Sequence, residues 1–151
     1  MKGLVVVVAL VACRGHEERH AVATKPVLAH ATQTDLGREL DDAERRGTWR
    51  ELKQRWQGQP LHWTVTRQRS LCRSADACNV AVFPIMRPAP HGWLPALRFA
   101  PGEFDKLEAS CGTAEQCEVV IDGTLSELDV SPELPTSLRL SGVKVVSAKR
   151  G

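Results

Sequence analysis

The chain has 151 residues and a formal net charge of +2, with 20 Lys and Arg against 18 Asp and Glu. This length allows one domain with a hydrophobic core of its own. Residues 58–151 carry ten basic and ten acidic side chains, so this part is neutral and lacks the basic excess of nucleic-acid-binding domains. We therefore expect one small domain that does not bind nucleic acid.

The chain begins with one lysine and an apolar run, MKGLVVVVALVAC. A basic start followed by an apolar run too short to span a membrane predicts a secretory signal over residues 1–12. The residues from Leu10 to Cys13 resemble the lipobox of bacterial lipoproteins, which implies that Cys13 is lipidated and becomes the mature N-terminus. An ordinary cleaved signal and a buried strand are the alternatives.

The lipobox resemblance also implies a location. The protein would be anchored in the bacterial cell envelope by the lipid on Cys13 and would face the periplasm. Because the next residue is Arg14 and not an acidic retention signal, we expect the outer membrane rather than the inner membrane.

Residues 13–34 lack a sustained hydrophobic period, and the Lys25-Pro26 step breaks any helix there. This composition predicts a flexible tether behind the lipidated cysteine. His16 and His20 satisfy the zinc-protease pattern H-E-x-x-H, in which Glu17 would be the base. A zinc hydrolase is therefore an alternative function, but such a helix belongs in a folded cleft and not beside a lipid anchor.

Apolar residues recur every three or four positions from Leu36 to Trp56, which predicts a helical segment over residues 35–57. Gly47 interrupts the pattern. We expect either two short helices, over residues 35–46 and 49–57, or one kinked amphipathic helix. Thr48 and Glu51 form a capping-box pattern that favours a new helix at this point.

Five strand signals follow within residues 58–151. The first is a strict alternation of apolar and polar residues over 61–66. The others cover residues 79–86, 94–99, 118–130 and 137–147, and a short helix is predicted over 101–107, between the third and fourth strands. Gly123 and Gly142 lie inside strands and predict bulges.

Four further cysteines occur as two copies of the spacing C-x5-C: Cys72, Cys78, Cys111 and Cys117. An even number in an exported chain predicts disulfides. Of the three possible connectivities we favour the two local pairs, 72 with 78 and 111 with 117. A four-thiolate zinc site is the alternative, although structural zinc sites usually show C-x2-4-C pairs. We expect no metal and no other cofactor.

Five strands with a helix between the third and fourth is the order of an OB-fold. Two segments, WQGQPLHWTV over residues 56–65 and VVIDGTL over 119–125, resemble bacterial envelope OB-fold domains of the tRNA-anti-like type. The likeness covers about residues 50–148, and the two C-x5-C loops depart from it. It implies a β-rich α+β fold, a five-stranded OB-like Greek-key barrel over residues 58–151, that acts as a binding or structural module without known chemistry.

OB-folds bind their ligands on the face of the second and third strands, often through aromatic and basic side chains. The residues of this type form a candidate ligand surface: Arg87, His91, Trp93 and Arg98. The alternative is that the aromatic residues of this region, with Phe83 and Phe99, pack in the core. The proline-rich residues 84–95 suit protein recognition better than catalysis.

The chain contains no Ser-His-Asp order and no glycine-rich phosphate loop, so we expect no catalysis. The favoured interpretation is a lipid-anchored, periplasm-facing module that binds another envelope protein or an exported protein. An immunity or inhibitor lipoprotein that blocks a periplasmic toxin or lytic enzyme is the alternative within the same class.

We expect Cys13→Ser to release the protein from membranes into the soluble fraction, because the lipid on Cys13 would be the only anchor. Fractionation of cells and mass spectrometry of the mature N-terminus test this expectation. A mature N-terminus within residues 14–34, or processing that is insensitive to globomycin, would contradict it.

Overall fold

The computed structural model describes residues 32–83, 85, 94–130 and 137–151. Five strands form its centre: β1 (Pro60–Ser74), β2 (Ala77–Ala81), β3 (Ala96–Phe99), β4 (Gln116–Asp129) and β5 (Ser137–Arg150). They close into a barrel in the order β1-β2-β3-β5-β4. Only β3 and β5 run parallel among the neighbouring strand pairs of the described residues. With a helix between β3 and β4, this order confirms the predicted OB-like barrel.

Two helices precede the barrel, as one of the two predicted arrangements requires. Helix α1 (Gln33–Arg46) begins at Thr32, whose side chain accepts a hydrogen bond from the Asp35 amide, and ends at Gly47 with φ of 68°. Only Gly adopts this left-handed conformation without strain, so Gly47 separates α1 from helix α2 (Trp49–Trp56).

The predicted capping box at Thr48 is wrong, because the Thr48 side chain makes no capping hydrogen bond. An N-cap residue needs an extended backbone, whereas Thr48 has ψ of 42°. The Thr48 amide still bonds the Ala43 carbonyl at 3.2 Å. The Thr48 carbonyl accepts from the Leu52 amide at 3.2 Å, so Thr48 ends α1 and begins α2 through its backbone alone.

Strand β1 is longer than predicted, since it continues past residue 66 to Ser74. The alternation of apolar and polar residues stops at residue 66 because the next inward-facing position holds Arg67. The residue is nevertheless buried, and the pairing of β1 with β4 continues to Gln68.

Strand β2 is shorter than predicted and ends at Ala81 instead of residue 86. Because Thr66 pairs with Ala81, the next facing pair in this register is Thr64 and Phe83. The carboxamide of Gln33 on α1 lies between them: it accepts from the Thr64 amide and donates to the Phe83 carbonyl, both at 2.9 Å. Gln33 thus replaces the ladder bonds that β2 no longer supplies.

The predicted bulge is confirmed at Gly142, whereas the one predicted at Gly123 is wrong, because Gly123 pairs with Leu61 in regular register. Asp122 pairs with Lys144 and Thr124 pairs with Ser141, so β5 has one residue more than β4 over this stretch. Gly142 has φ of 62°, a conformation that side-chain-bearing residues rarely adopt. The bulge therefore belongs to β5, opposite Gly123.

Helices close both ends of the barrel. Trp56 and Leu36 are fully buried in the same core cluster as Trp63 of β1, and the Gln57 side chain bonds the Ser126 carbonyl near the end of β4. Helix α3 (Glu103–Cys111) lies at the opposite end of the barrel, beside the later part of β5. No helix of the described residues has the length and apolarity needed to cross a membrane.

The cysteines form the two local pairs that the spacing favours. The sulfur atoms of Cys72 and Cys78 are 1.95 Å apart, and those of Cys111 and Cys117 are 2.09 Å apart. The first disulfide joins β1 to β2, and the second joins the end of α3 to the start of β4. Because the sulfur atoms bond each other, they are not available as thiolate ligands for the alternative zinc site.

The register of β4 against β5 places acidic side chains opposite basic ones. The facing pairs are Glu118 with Lys149, Asp122 with Lys144 and Glu127 with Arg139. Opposite charges that face each other across antiparallel strands contribute about 0.2–1 kcal/mol each. A shift of one residue would remove these pairings, so the charges support the register of the longest strand pair.

A buried ion pair links β1 to α3. The Arg67 side chain is 1% exposed. Its Nη2 donates to the Glu108 carboxylate, and its Nη1 donates to the Ala114 carbonyl at 3.0 Å. The Arg67 Nε has no hydrogen-bond partner among the described residues. Because a buried charge without a partner is costly, Glu108 is the group that allows Arg67 to remain inside the barrel.

We expect Glu108→Gln to lower the free energy of unfolding by about 1–3 kcal/mol, because the buried guanidinium loses its counter-charge. The loss should be smaller than for a fully buried pair, since the Glu108 side chain is 40% exposed. Combining Arg67→Met with Glu108→Gln should restore part of the stability, because no charge then remains buried.

Urea denaturation of the single and double variants measures both effects, with Glu115→Gln as a control at an exposed position. A double variant less stable than Glu108→Gln alone would show that the Arg67 side chain contributes packing rather than a burial cost.

Candidate functional site

One of the four residues in the predicted ligand surface lies in the described part of the chain. Arg98 is on β3 and its side chain is exposed. The other three, Arg87, His91 and Trp93, lie outside the described residues, as do Cys13 and the His16–His20 motif. The described part of the candidate ligand surface therefore consists of Arg98 and the side chains around it.

The two described aromatic residues of this region differ in role. Phe99 is partly buried against the core, and its ring contacts Phe104 of α3 edge to face, with ring centroids 5.6 Å apart. The packing alternative is therefore confirmed for Phe99. Phe83, by contrast, is 66% exposed.

Arg98 lies in a row of residues that crosses three strands. Cys78 of β2 pairs with Cys72 of β1 on one side and with Leu97 of β3 on the other, and all three are buried. Side chains alternate between the two faces of a strand. The adjacent positions Ala77 and Arg98 are accordingly exposed on the outer face. On β1, Ala77 pairs with Ser74, and the exposed Arg73 lies in the irregular stretch between Cys72 and Ser74.

We name this outer surface the hairpin face, because the turn between β1 and β2 forms one end of it. Its members are exposed or partly exposed: Arg73, Asp76, Ala77, Asn79, Ala96 and Arg98. The Phe99 amide donates to the Ala75 carbonyl at 3.2 Å, which holds the turn against the end of β3. The Cys72–Cys78 disulfide fixes the two strands behind the same face.

The two arginines of the hairpin face carry charges that the described part of the chain does not neutralise. The Arg73 Nε donates to the Ser70 carbonyl at 3.0 Å, but neither Arg73 nor Arg98 forms an ion pair with a described carboxylate. Five of the described arginines have such partners: Arg38, Arg45, Arg55, Arg67 and Arg139. Arg46, Arg50, Arg69 and Arg150 resemble Arg73 and Arg98 in having none among the described carboxylates. The hairpin face is thus a place where guanidinium donors stay available to a partner.

Sequence reasoning missed Arg73, because the first strand was expected to end at residue 66. The predicted disulfide between Cys72 and Cys78 contained a signal for an exposed Arg73. If Cys72 and Cys78 bond across a hairpin with both sulfur atoms inside, the next residue on β1 must point outward. The local disulfide prediction therefore implied an exposed Arg73.

A histidine and a carboxylate face each other on another wall of the barrel. The Nδ1 atom of His62 on β1 lies 2.6 Å from Oδ1 of Asp122 on β4, and both side chains are more than half exposed. Among the described residues, His62 has no hydrogen-bonded hydroxyl or thiol that it could activate as a nucleophile. The pair therefore works as a cross-strand contact beside Lys144.

A cleft of about 150 Å³ lies between α1 and α2 and has a mixed charged lining. The Glu39 carboxylate accepts from the Arg55 guanidinium at 3.2 Å and from the Trp56 indole at 2.9 Å. A hydrogen bond from Arg45 holds the pKa of Asp42, which also lines the cleft, below its usual range. Glu39 and Asp42 thus have hydrogen-bond donors within the protein, and the bonds of Glu39 connect α1 to α2.

The described residues contain no group of three or more His, Cys, Asp or Glu side chains placed to hold a metal ion. In comparisons with known proteins, the chain matches no family model, no curated protein and no solved structure. The functional argument therefore depends on the chemistry of the hairpin face.

Glu103, at the start of α3, joins this helix to β5. Its carboxylate is largely buried and accepts from the Val145 amide at 2.9 Å and from the Lys106 ammonium at 2.5 Å. The bond from Lys106, followed by that from Val145, lowers the pKa of Glu103 from its ordinary value of 4.5. The ionised form is thus the one that the fold prefers.

Because the folded-state pKa of Glu103 lies below its unfolded-state value, the carboxylate stabilises the fold at neutral pH. That contribution is lost as the pH falls through the folded-state pKa. We therefore expect Glu103→Gln to be less stable than the parent at about pH 7 and to lose less of its unfolding free energy on acidification to about pH 3.

Urea denaturation at several pH values measures this dependence. A residual slope should remain in the variant, since the pKa of Asp42 is lowered in the same direction. Glu115→Gln, at an exposed position, is the matched control. A variant with the same slope as the parent would refute the role given to Glu103.

Proposed function

We propose that this protein is a non-catalytic binding module that recognises another envelope protein or an exported protein through the hairpin face. One observation carries the proposal: Arg73 and Arg98 are exposed on one wall of the barrel, and neither forms an ion pair with a carboxylate of the described residues. Arginine is enriched at the centres of protein interfaces, where its donors and its flat apolar surface both make contacts.

The rigidity of this wall supports a role in recognition. A binding surface loses less conformational entropy when its backbone is held in advance. The hairpin face is held by the Cys72–Cys78 disulfide, by the hydrogen bond from Phe99 to Ala75, and by the pairing of β2 with β3. A partner would therefore meet a preformed surface.

An apolar side chain close by adds to this support. Leu71 is 37% exposed and lies in the stretch of β1 where the register with β2 is irregular. Interfaces combine a small apolar contact area with surrounding polar groups. Attachment through a lipid on Cys13 would complete the proposal, because it would restrict the protein to partners at the membrane surface.

Site-specific photo-crosslinking in the native host tests the proposal. We expect a photoreactive residue in place of Ala77 to form a crosslink to one discrete protein, because Ala77 is exposed on β2, between the strands that carry Arg73 and Arg98. The same residue in place of His62, on the β1–β4 wall, should not form this crosslink, although His62 is also exposed.

Charge reversal supplies the second arm of the test. Arg73→Glu together with Arg98→Glu should abolish the crosslink from position 77, whereas Arg45→Glu on α1 should leave it intact. No discrete product from position 77, or the same product from positions 77 and 62, would refute the proposal.

A further inference from the structure

We infer that this protein pairs with a second copy of itself through the outer face of β4 and β5. The inference goes beyond the proposed function, because the hairpin face belongs to β2, β3 and the end of β1 and stays free in such a pair. It is carried by three observations on one surface: an acidic stripe on β4, a basic stripe on β5, and an exposed apolar centre at the middle of both stripes.

The outer face of β4 and β5, which we call the β4–β5 face, carries one sign of charge on each strand. In the register, Glu118 faces Lys149 and Asp122 faces Lys144. The acidic residues thus form a stripe along β4, and the lysines form a parallel stripe along β5. The members of the face are exposed or partly exposed: Glu118, Val120, Asp122, Lys144, Val146 and Lys149.

These charges form few ion pairs within the chain. Although each faces an opposite charge across the strands, Glu118, Lys144 and Lys149 form no ion pair with a described residue. Asp122 pairs with His62 of β1, and both side chains are more than half exposed. Other exposed charges of the described chain also lack ionic partners. What distinguishes the β4–β5 face is that its charges are sorted by strand.

An apolar centre lies between the charged ends of the stripes. Val120 pairs with Ser147 and the next pair is Ile121 with Val145, so Val146 is an extra residue of β5 at this level. An extra residue of this kind often re-aims a side chain. Val146 is 52% exposed, and Val120 beside it is partly exposed. A small apolar contact with charged groups around it is the arrangement of a protein interface.

The sorting of charge makes the β4–β5 face complementary to itself. A two-fold axis that runs along the strands, between β4 and β5, places β4 of one copy over β5 of the other. Asp122 of one copy then lies opposite Lys144 of the other, and Glu118 lies opposite Lys149. A two-fold interface requires such a self-complementary patch. Because a face with a single sign of charge would repel its copy, the two stripes favour a second copy as the partner.

The size of the face predicts a weak pair. Residues 116–124 span about 30 Å along β4, and β4 with its two neighbouring strands is about 14 Å wide. A contact of this size covers about 400 Å² of each copy, about half the area of a standard interface. We therefore expect a dissociation constant of roughly 10–100 µM. Added salt should weaken the pair, because ions screen exposed charges.

Analytical ultracentrifugation of the full chain with intact disulfides tests the pairing. A nonionic detergent in all samples keeps the apolar residues 1–12 from associating. We expect a reversible equilibrium between monomer and dimer at low salt. The dissociation constant should rise at least about fivefold when the salt concentration is raised tenfold.

Two charge-reversal variants examine the stripes directly. Lys144→Glu with Lys149→Glu makes both stripes acidic, and Glu118→Lys with Asp122→Lys makes both stripes basic. We expect each double variant to weaken self-association at least about tenfold, because stripes of the same sign would then face each other. The equimolar mixture of the two double variants should form a heterodimer, which also shows that both variants fold.

The matched control is Arg46→Glu with Arg50→Glu, which reverses two exposed charges on the helices and should leave self-association at the parental strength. A carbodiimide crosslink from Asp122 of an isotope-labelled copy to Lys144 of an unlabelled copy would support the arrangement of β4 over β5. A parent chain that is still monomeric at about 500 µM overturns the inference. Self-association of either charge-reversal variant at the parental strength, or a mixture that does not associate, also overturns it.

Discussion

The unequal lengths of the strands are the constraint on which the rest of this barrel depends. Strands β1, β4 and β5 each have 14 or 15 residues, whereas β2 and β3 have five and four. Closing a barrel from such strands leaves backbone groups of the long strands without a neighbour, and buried backbone groups need partners. The helices supply them. Gln33 bridges Thr64 and Phe83, and Glu103 accepts from the Val145 amide.

These side-chain bonds explain why the helices sit where they do. Helix α1 is attached at the place where β2 leaves β1, and α3 is attached where β5 extends beyond β3. The Arg67–Glu108 pair and the Cys111–Cys117 disulfide hold α3 and the start of β4 together at the same end. The two helical layers thereby cover the ends of the barrel, and no helix of the described residues covers the outer face of β2 and β3.

The outer face of β2 and β3 combines exposed positive charge with a rigid backbone. Elsewhere on the barrel, the cross-strand register pairs acidic residues of β4 with basic residues of β5, so their charges are largely balanced within the molecule. The short strands β2 and β3 carry few charged side chains, and Arg98 has no acidic neighbour in register. An unpaired charge on a rigid surface is a feature that intermolecular recognition can use.

The sequence by itself determined the elements that depend on local patterns. Alternation and helical periodicity located five strands and three helices, and the repeated cysteine spacing indicated the local disulfides. It did not determine where β1 and β2 end, because those limits depend on tertiary groups: Arg67 stays inside only with Glu108, and β2 can stop early only because Gln33 takes its place. The candidate site divides in the same way. Arg98 was expected from its strand, whereas the presence of Arg73 on the same wall was decided by strand pairing, since contacts between residues distant in sequence are set by the register and not by local periodicity.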